Sequence, residues 1–393
     1  MISPSAASPW PAVLLILGAG VLSAFQVGKV PLALSTLQGE LGLGLAAASW
    51  LISLFGVVGA AIGAPMGLVV DRVGARRLLV AGLLVQGLAS LLGGLVASAP
   101  LLLVSRLVEG LGFLAVVVAA PALVVAVASP AQRDRAMALW ATFMPVGLTA
   151  IMLAGPVLDR LGWAGLWRAN AGLLLGYAVL AAWRVPALAR RAEVRSVAAD
   201  LSQTLAAPGP WLLGGLFGIF AGVFFAVFGF LPSLLGERLG VGTTAAGALT
   251  AVAVAASGVG NLACGQLLAR GLEPLRILTA AFVVLALCSI GLFGRFLPAE
   301  LAYGLCVVLA FFGGWIPVVL LDAAPRYAPR PDLVGATIGA TVQGNNLGMI
   351  LGPAAAGALA SQLGWPAVSG LLVVFCGLAL WLVRLLGRAH AER

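Results

Sequence analysis

Long apolar runs fill almost the whole chain, and short clusters of charged residues or of proline and glycine separate them. Each run is long enough for a helix that crosses a bilayer, about 20 residues, and exceeds the roughly ten residues of a barrel strand. A helix also pairs its own backbone groups, which lipid requires. The pattern predicts an all-α polytopic membrane protein with twelve transmembrane helices, at approximately 11–34, 46–70, 77–97, 99–128, 137–158, 164–184, 210–235, 244–269, 274–296, 299–322, 333–360 and 364–386.

The composition of the chain is that of a membrane protein. Hydrophobic residues make up 62% of the 393 residues and charged residues only 9%, whereas soluble domains carry about 25% charged residues. The four cysteines stand singly inside apolar runs, without the spacing of a metal site. The sequence contains no paired nucleophile and base and no glycine-rich phosphate loop. We therefore expect a protein that is not an enzyme and holds no metal or cofactor.

The basic residues are distributed unevenly between alternate loops. The net charge of +9 could by itself indicate a nucleic-acid partner. Sixteen arginines, however, fall in one set of loops and the C-terminal tail, and only Arg160, Arg238 and Arg295 fall in the other set. Basic loops stay on the cytoplasmic side of a membrane. We expect a multi-pass protein of a bacterial-type inner membrane, with both termini cytoplasmic, in contact with lipid and not with nucleic acid.

Three short sequences recur in the same order at an offset of about 198 residues. The matched pairs are 31–44 with 232–242, 67–72 with 265–270, and 155–163 with 352–365. This duplication predicts two pseudo-symmetric six-helix bundles, 1–184 and 210–393, joined by a cytoplasmic linker at 185–209. Two such bundles can rock about a site at their interface, which is how many transporters provide alternating access.

A cluster of charge lies between the second and third predicted helices. The chain there reads Gly67-Leu-Val-Val-Asp71-Arg72-Val-Gly74-Ala75-Arg76-Arg77. This cluster resembles the loop between helices 2 and 3 of the major facilitator superfamily, G-x-x-x-D-[RK]-x-G-[RK]-[RK]-[RK], and departs from it at Ala75. The resemblance implies the twelve-helix fold of that superfamily. It also implies a cytoplasmic hairpin that controls conformational gating through Gly67, Asp71, Arg72, Gly74, Arg76 and Arg77.

Ionisable residues inside predicted spans are functional candidates, because burying charge in a membrane is costly. Helix 1 carries Gln26 and Lys29, the only lysine of the chain, and helix 4 carries Arg106 and Glu109. The helix 4 pair is three residues apart, so the two side chains share a face and can form an ion pair. Lys29 either faces the bundle interior or extends along its span to the membrane surface. We expect Gln26, Lys29 and Arg106 to bind substrate, and Glu109 with Arg106 to couple transport to protons.

Helix 11 carries the densest cluster of neutral polar residues in the spans: Thr337, Thr341, Gln343, Asn345 and Asn346. An asparagine in hydrocarbon needs a partner, so this cluster faces either another helix or the cavity. We expect the cavity, with Gln343, Asn345 and Asn346 in the substrate site. The tryptophans at the start of helix 6, Trp163 and Trp167, suit an aromatic belt at the membrane surface.

The ionisable residues within the spans leave a positive surplus, which favours an anionic or polar substrate. The overall pattern resembles the cyanate and nitroimidazole permease branch of the superfamily. It implies uptake of a small anion or polar organic solute in symport with protons, and we expect a monomer. A second possible function is proton-driven efflux of drugs or metabolites, because 33–42 with Trp50 resembles helix 1 of multidrug antiporters. Gln26 and Ser35, however, replace their aspartate and proline. A third possible function is that of a membrane sensor that does not transport a solute.

Overall fold

The computed structural model describes residues 9–96, 98–129, 132–186, 197–293, 296–330 and 333–391. Within these ranges the chain forms sixteen α-helices and no strand. The helices are α1 (Trp10–Leu41), α2 (Leu45–Val73), α3 (Ala75–Gly93), α4 (Ala99–Val127), α5 (Arg133–Trp140), α6 (Phe143–Met152), α7 (Gly155–Arg184), α8 (Val197–Ala206), α9 (Pro208–Phe228), α10 (Leu231–Leu239), α11 (Thr243–Ala269), α12 (Pro274–Phe293), α13 (Ala299–Gly313), α14 (Trp315–Tyr327), α15 (Val334–Leu363) and α16 (Trp365–Ala391).

All of these helices except α8 make up the twelve predicted spans, which confirms the fold class. α9 with α10, and α13 with α14, each form one span. The backbone of Gly162 is non-helical, so it divides α7 between two spans. The fifth span consists of α5, α6 and the part of α7 before Gly162, and the part after Gly162 is the sixth span. In the described residues, length and apolarity alone identify nine spans, and ten when the bent α6–α7 pair is counted.

Two features of the helices were not predicted. Helix 1 was expected to end at residue 34 but continues to Leu41, with Pro31 inside it. Transmembrane helices tolerate such prolines because neighbouring groups satisfy the freed carbonyl. No helix was predicted for the linker at 185–209, and the structure places α8 within it. Its apolar residues Val197, Leu201 and Leu205 recur at intervals of four, which is the spacing of one helix face.

The backbone repeats itself at the turns between helices. In the described residues, every residue with positive φ is a glycine, and these six glycines form three pairs. The pairs are Gly42 (63°) with Gly240 (65°), Gly74 (94°) with Gly271 (82°), and Gly162 (67°) with Gly364 (80°). Only glycine adopts this conformation without strain. The pairing extends the sequence repeat to the backbone.

The two halves of the chain contact each other at the end of the bundle that holds the Gly42 and Gly240 turns, here called the Gly42 end. The opposite end, with the α2–α3 turn, is the Gly74 end. At the Gly42 end the hydroxyl of Thr244 donates to Asp159 Oδ2 at 2.6 Å. Further along the spans, Gln343 Nε2 donates to the carbonyl of Ala60 at 2.6 Å. The halves are therefore closed against each other from the Gly42 end to the middle of α2 and α15.

Candidate functional site: a buried charged cluster

Three charged side chains meet inside the amino-terminal half, and we call Lys29, Arg106 and Glu109 the charged cluster. Lys29 Nζ, on α1, lies 2.7 Å from Glu109 Oε1 on α4. The Arg106 guanidinium pairs with the other carboxylate oxygen, Glu109 Oε2. The i,i+3 ion pair expected on helix 4 is thus present. Packing of α1 against α4 adds a second cation to the same carboxylate.

Neutral groups from three further helices complete the surroundings of the charged cluster. Lys29 Nζ donates to Ser90 Oγ of α3 at 2.8 Å and stands 4.4 Å from the ring centroid of Trp167 on α7. Arg106 Nε donates to the carbonyl of Leu51 on α2 at 2.9 Å. The Phe55 ring lies 4.6 Å from the Arg106 guanidinium carbon. Each cation therefore has hydrogen-bond acceptors and an aromatic face, the contacts that offset part of the cost of burial.

The charged cluster is sealed from the surface. Lys29, Arg106 and Glu109 each have 0% of their surface exposed. Lys29 therefore does not extend to the membrane surface, and it faces the bundle interior. Two cations against one anion leave one net positive charge, which an apolar bundle holds only at considerable cost. Such an arrangement indicates a functional site.

Several buried polar atoms near the charged cluster have no hydrogen-bond partner within the described chain. They include both amide atoms of Gln26, both amide atoms of Asn170, and Arg106 Nη2. Gln26 is one helical turn from Lys29, so the two side chains share a face of α1. Its neighbour Ser23 accepts a hydrogen bond from Gln86 Nε2 at 3.0 Å. The polar region of this half thus extends along α1 beyond the three charges.

Trp163 and Trp167 do not form the surface belt that was predicted. They are 4% and 0% exposed, and their rings meet edge to face at 5.7 Å. Trp163 Nε1 donates to Glu40 Oε2 at 2.7 Å. Their spacing of four residues places both rings on one helix face. That face turns inward, because Trp167 packs against Lys29.

The polar residues that were predicted for the substrate site on helix 11 do not join the charged cluster. Gln343 and Asn346 face α2, where a Cβ added to Gly59 would stand 2.7 Å from Asn346 Nδ2. Asn345 Nδ2 lies 3.7 Å from Met349 Sδ. The three side chains are partly buried. The described hydrogen bonds connect this group to α2 or within α15 and do not connect it to the charged cluster.

The structure describes only some of the side chains of the predicted gating hairpin. Gly67, Asp71 and Arg72 belong to α2, which ends at Val73, and their side chains lie outside the described part of the chain. Gly74 turns the chain with φ 94°. Arg76 donates to the carbonyl of Ala182 near the end of α7, whereas Arg77 is exposed. The hairpin thus ties the start of α3 to the end of α7 at the Gly74 end.

A close seam of glycines between α9 and α15 was missed by the sequence analysis. A Cβ on any of three α15 glycines would overlap the α9 backbone, in the pairs Gly344 with Gly214, Gly348 with Gly218 and Gly352 with Gly222. The signal was available in the sequence, because each helix carries glycines at intervals of four. This spacing lets membrane helices approach closely. The seam fixes α15, which also contacts α2 of the other half.

The chain is similar in sequence to one protein family and to several known proteins. Residues 16–343 match the model of the Major Facilitator Superfamily. Puromycin resistance protein pur8 of Streptomyces alboniger is 30% identical over 348 residues, which cover 84% of this chain and 66% of that protein. Methyl viologen resistance protein SmvA of Salmonella typhimurium is 27% identical over 186 residues, which cover 47% of this chain and 38% of that protein. The chain thus spans less than two thirds of the length of either relative.

A solved structure is similar over nearly the whole length. It is a bacterial homologue of the human lysosomal transporter Spinster in an inward-facing, occupied conformation. The TM-score is 0.77 at 15% identity, and the match covers 98% of both chains. At this identity the likeness concerns the fold.

Proposed function

Since the chain belongs to the Major Facilitator Superfamily, we propose that it is a proton-coupled exporter of small organic compounds that works by alternating access. In this proposal the Gly74 end and both termini face the cytoplasm of a bacterial cell, as the arginine distribution indicates. The protein acts as a monomer in the inner membrane. Protons flow inward as the compound moves out.

The names of the relatives support export over uptake. Two of them are named for resistance to puromycin and to methyl viologen, and export of a toxic compound produces such resistance. The anion prediction relied on positive charge that faces the cargo. That charge is buried with 0% exposure inside one half. The resemblance to the cyanate and nitroimidazole branch stays a prediction, and anion uptake is the alternative outcome of the test below.

The observation that carries the proposal is the charged cluster itself. A sealed site with one net charge is poorly placed to bind a bulky solute but is well placed to respond to a proton. A change of one proton changes the net charge of the cluster, and therefore its burial cost. We accordingly assign Gln26, Lys29, Arg106 and Glu109 to coupling. Gln343, Asn345 and Asn346 remain the candidate substrate contacts, and the residues of the hairpin from Gly67 to Arg77 remain the candidate gate.

Transport into liposomes of the reconstituted protein tests this proposal. Methyl viologen is a suitable probe because its charge does not depend on pH, so it does not partition passively with a pH gradient. An acidic interior should drive its accumulation by antiport, and a protonophore should abolish the accumulation. Protein-free liposomes provide the control. Accumulation of cyanate in vesicles with an alkaline interior, without methyl viologen transport, would contradict export and support anion symport.

A further inference from the structure

The charged cluster has three protonation states to compare, and they differ in net charge. With all three groups ionised, Lys29, Arg106 and Glu109 carry one net positive charge. Loss of a proton from Lys29 leaves a neutral cluster, whereas addition of a proton to Glu109 leaves two positive charges. Arginine keeps its proton in proteins. Because burial disfavours net charge, the low-cost change of state is the one at Lys29.

The hydrogen bonds of Lys29 agree with this comparison. An ammonium has three donors, and two of them are directed to Glu109 Oε1 at 2.7 Å and to Ser90 Oγ at 2.8 Å. The ring centroid of Trp167 lies 4.4 Å from Nζ. A neutral amine retains two N–H donors, so both hydrogen bonds survive loss of the third proton. The change removes the charge of Lys29, and with it the ion-pair attraction to Glu109 and the attraction to the aromatic ring, while the hydrogen-bonded contacts remain.

Glu109 is poorly arranged to take up a proton. Each of its oxygens already accepts a hydrogen bond, Oε1 from Lys29 and Oε2 from Arg106. A proton on either oxygen would compete with one of these donors and would weaken both ion pairs. The carboxylate therefore serves as the fixed anion between two cations.

The other groups around Lys29 do not alter the charge balance. Among the described residues, the charged groups that act on it are Glu109 and Arg106 of α4. Ser90 of α3 and Trp167 of α7 are neutral. From α6, the apolar side chains of Leu148, Ile151 and Met152 pack at the neighbouring Gly28. The protonation of Lys29 thus controls the net charge of the whole region.

From this geometry we propose that Lys29 is the residue that carries the exchanged proton, an assignment that rests on the proposed proton-coupled transport. Lys29 releases one N–H proton to water on the cytoplasmic side and regains one from water on the other side, so the cluster alternates between neutral and singly positive. Gln26, whose two amide atoms are buried and have no hydrogen-bond partner among the described residues, lies one turn away on the same face of α1 and makes that face polar next to Lys29. Glu109 and Arg106 position the amine.

The charge of Lys29 can be measured directly, because it is the only lysine of the chain. Lysine labelled with carbon-13 at Cε gives a single side-chain resonance in the purified, unmodified protein, and its chemical shift reports protonation. We expect this resonance to shift with pH across the physiological range. A resonance that keeps the shift of an ammonium throughout that range would overturn the proposal. The measurement needs neither a substrate nor a variant.

A conservative variant separates proton carriage from a structural role. Lys29→Arg keeps a cation beside Glu109 but cannot release its proton. We expect loss of the accumulation of methyl viologen that a pH gradient drives, and loss of its pH dependence. If Lys29 served only to hold the bundle together, the arginine variant would keep both the gradient-driven accumulation and its pH dependence. Gradient-driven accumulation by Lys29→Arg would therefore contradict proton carriage by Lys29.

The two proposals can fail separately. If the wild-type protein accumulates methyl viologen with the gradient while the Lys29 resonance does not titrate, proton-coupled export stands and the assignment of the proton to Lys29 is wrong. If the resonance titrates but no gradient drives transport of methyl viologen, the proposed export fails while the charge measurement stands. If Lys29→Arg does not fold, the resonance of the unmodified protein decides the assignment.

Discussion

The same three positions in the two repeats hold opposite kinds of side chain. Aligning Pro31 with Pro232 matches Lys29 to Phe230, and aligning the starts of α4 and α13 matches Arg106 to Cys306 and Glu109 to Leu309. All six side chains are exposed by 1% or less. The first repeat therefore fills this space with charge, and the second fills it with apolar groups.

This difference teaches that the fold does not need the charges. Replacing a buried ion cluster with apolar residues of similar volume is often neutral or stabilising. The second repeat is built in that apolar way, and its helices are held by the glycine seam between α9 and α15. Charge that is not required for packing is retained for another reason. We infer that the first half carries the coupling and that the second half, which is apolar at the three equivalent buried positions, serves as its partner.

Removal of the anion from the charged cluster should have the largest effect on stability. Glu109→Leu copies the second repeat at one position only and leaves two buried cations without a counterion. We expect a loss of about 3–5 kcal/mol in the free energy of unfolding, measured by denaturant titration in mixed micelles. The control is Glu300→Leu at the exposed start of α13, which should change it by about 0.5 kcal/mol or less. An equal effect of both substitutions would contradict a strong stabilisation of the two buried cations by Glu109.

The glycine seam gives the corresponding test in the second half. Gly348→Ala would place a methyl group into the α9 backbone at Gly218, so the helices must separate. We expect a loss of about 1–3 kcal/mol in the free energy of unfolding. Gly339→Ala on the same helix meets nothing within 4 Å and should be neutral or stabilising by up to about 1 kcal/mol. Equal stability of the two variants would contradict close approach of α9 and α15.

Two serines at equivalent positions of α3 and α12 provide a further comparison of the two halves. Ser90 Oγ accepts from Lys29 and donates to the carbonyl of Trp167, whereas Ser289 Oγ donates only to Leu285 of its own helix. We expect Ser90→Ala to lower the free energy of unfolding by about 1.5–3 kcal/mol, since its bond to Lys29 involves a charged donor. Ser289→Ala should lower it by less than about 1 kcal/mol. A larger loss at Ser289 would reverse the proposed roles of the halves.

The sequence predicted the spans well because a bilayer requires long apolar helices, and a run of about 20 such residues is rare outside membrane-spanning segments. It also predicted the pairing of Arg106 with Glu109, which depends only on spacing within one helix. It did not predict that Lys29 shares the same carboxylate. That contact joins residues 80 positions apart and depends on how α1 packs against α4.

The burial of Trp167 could not be predicted from the sequence, for a similar reason. A tryptophan near the start of a helix suits a membrane surface or a bundle interior equally well, and only the packing of α7 against α3 decides between them. The breaks within the seventh and tenth spans were also missed. Gly229 and Gly314 mark them, but glycine is common in continuous membrane helices too.

The most direct test of the account exchanges the whole charged cluster for apolar groups. The variant Lys29→Met, Arg106→Met, Glu109→Leu removes every charge at once, so it should fold with a free energy of unfolding close to or above that of the wild type. In liposomes with an acidic interior, the account predicts that this folded variant no longer accumulates methyl viologen with the pH gradient. Accumulation equal to that of the wild type would show that the cluster is only a packing element and would contradict the central claim.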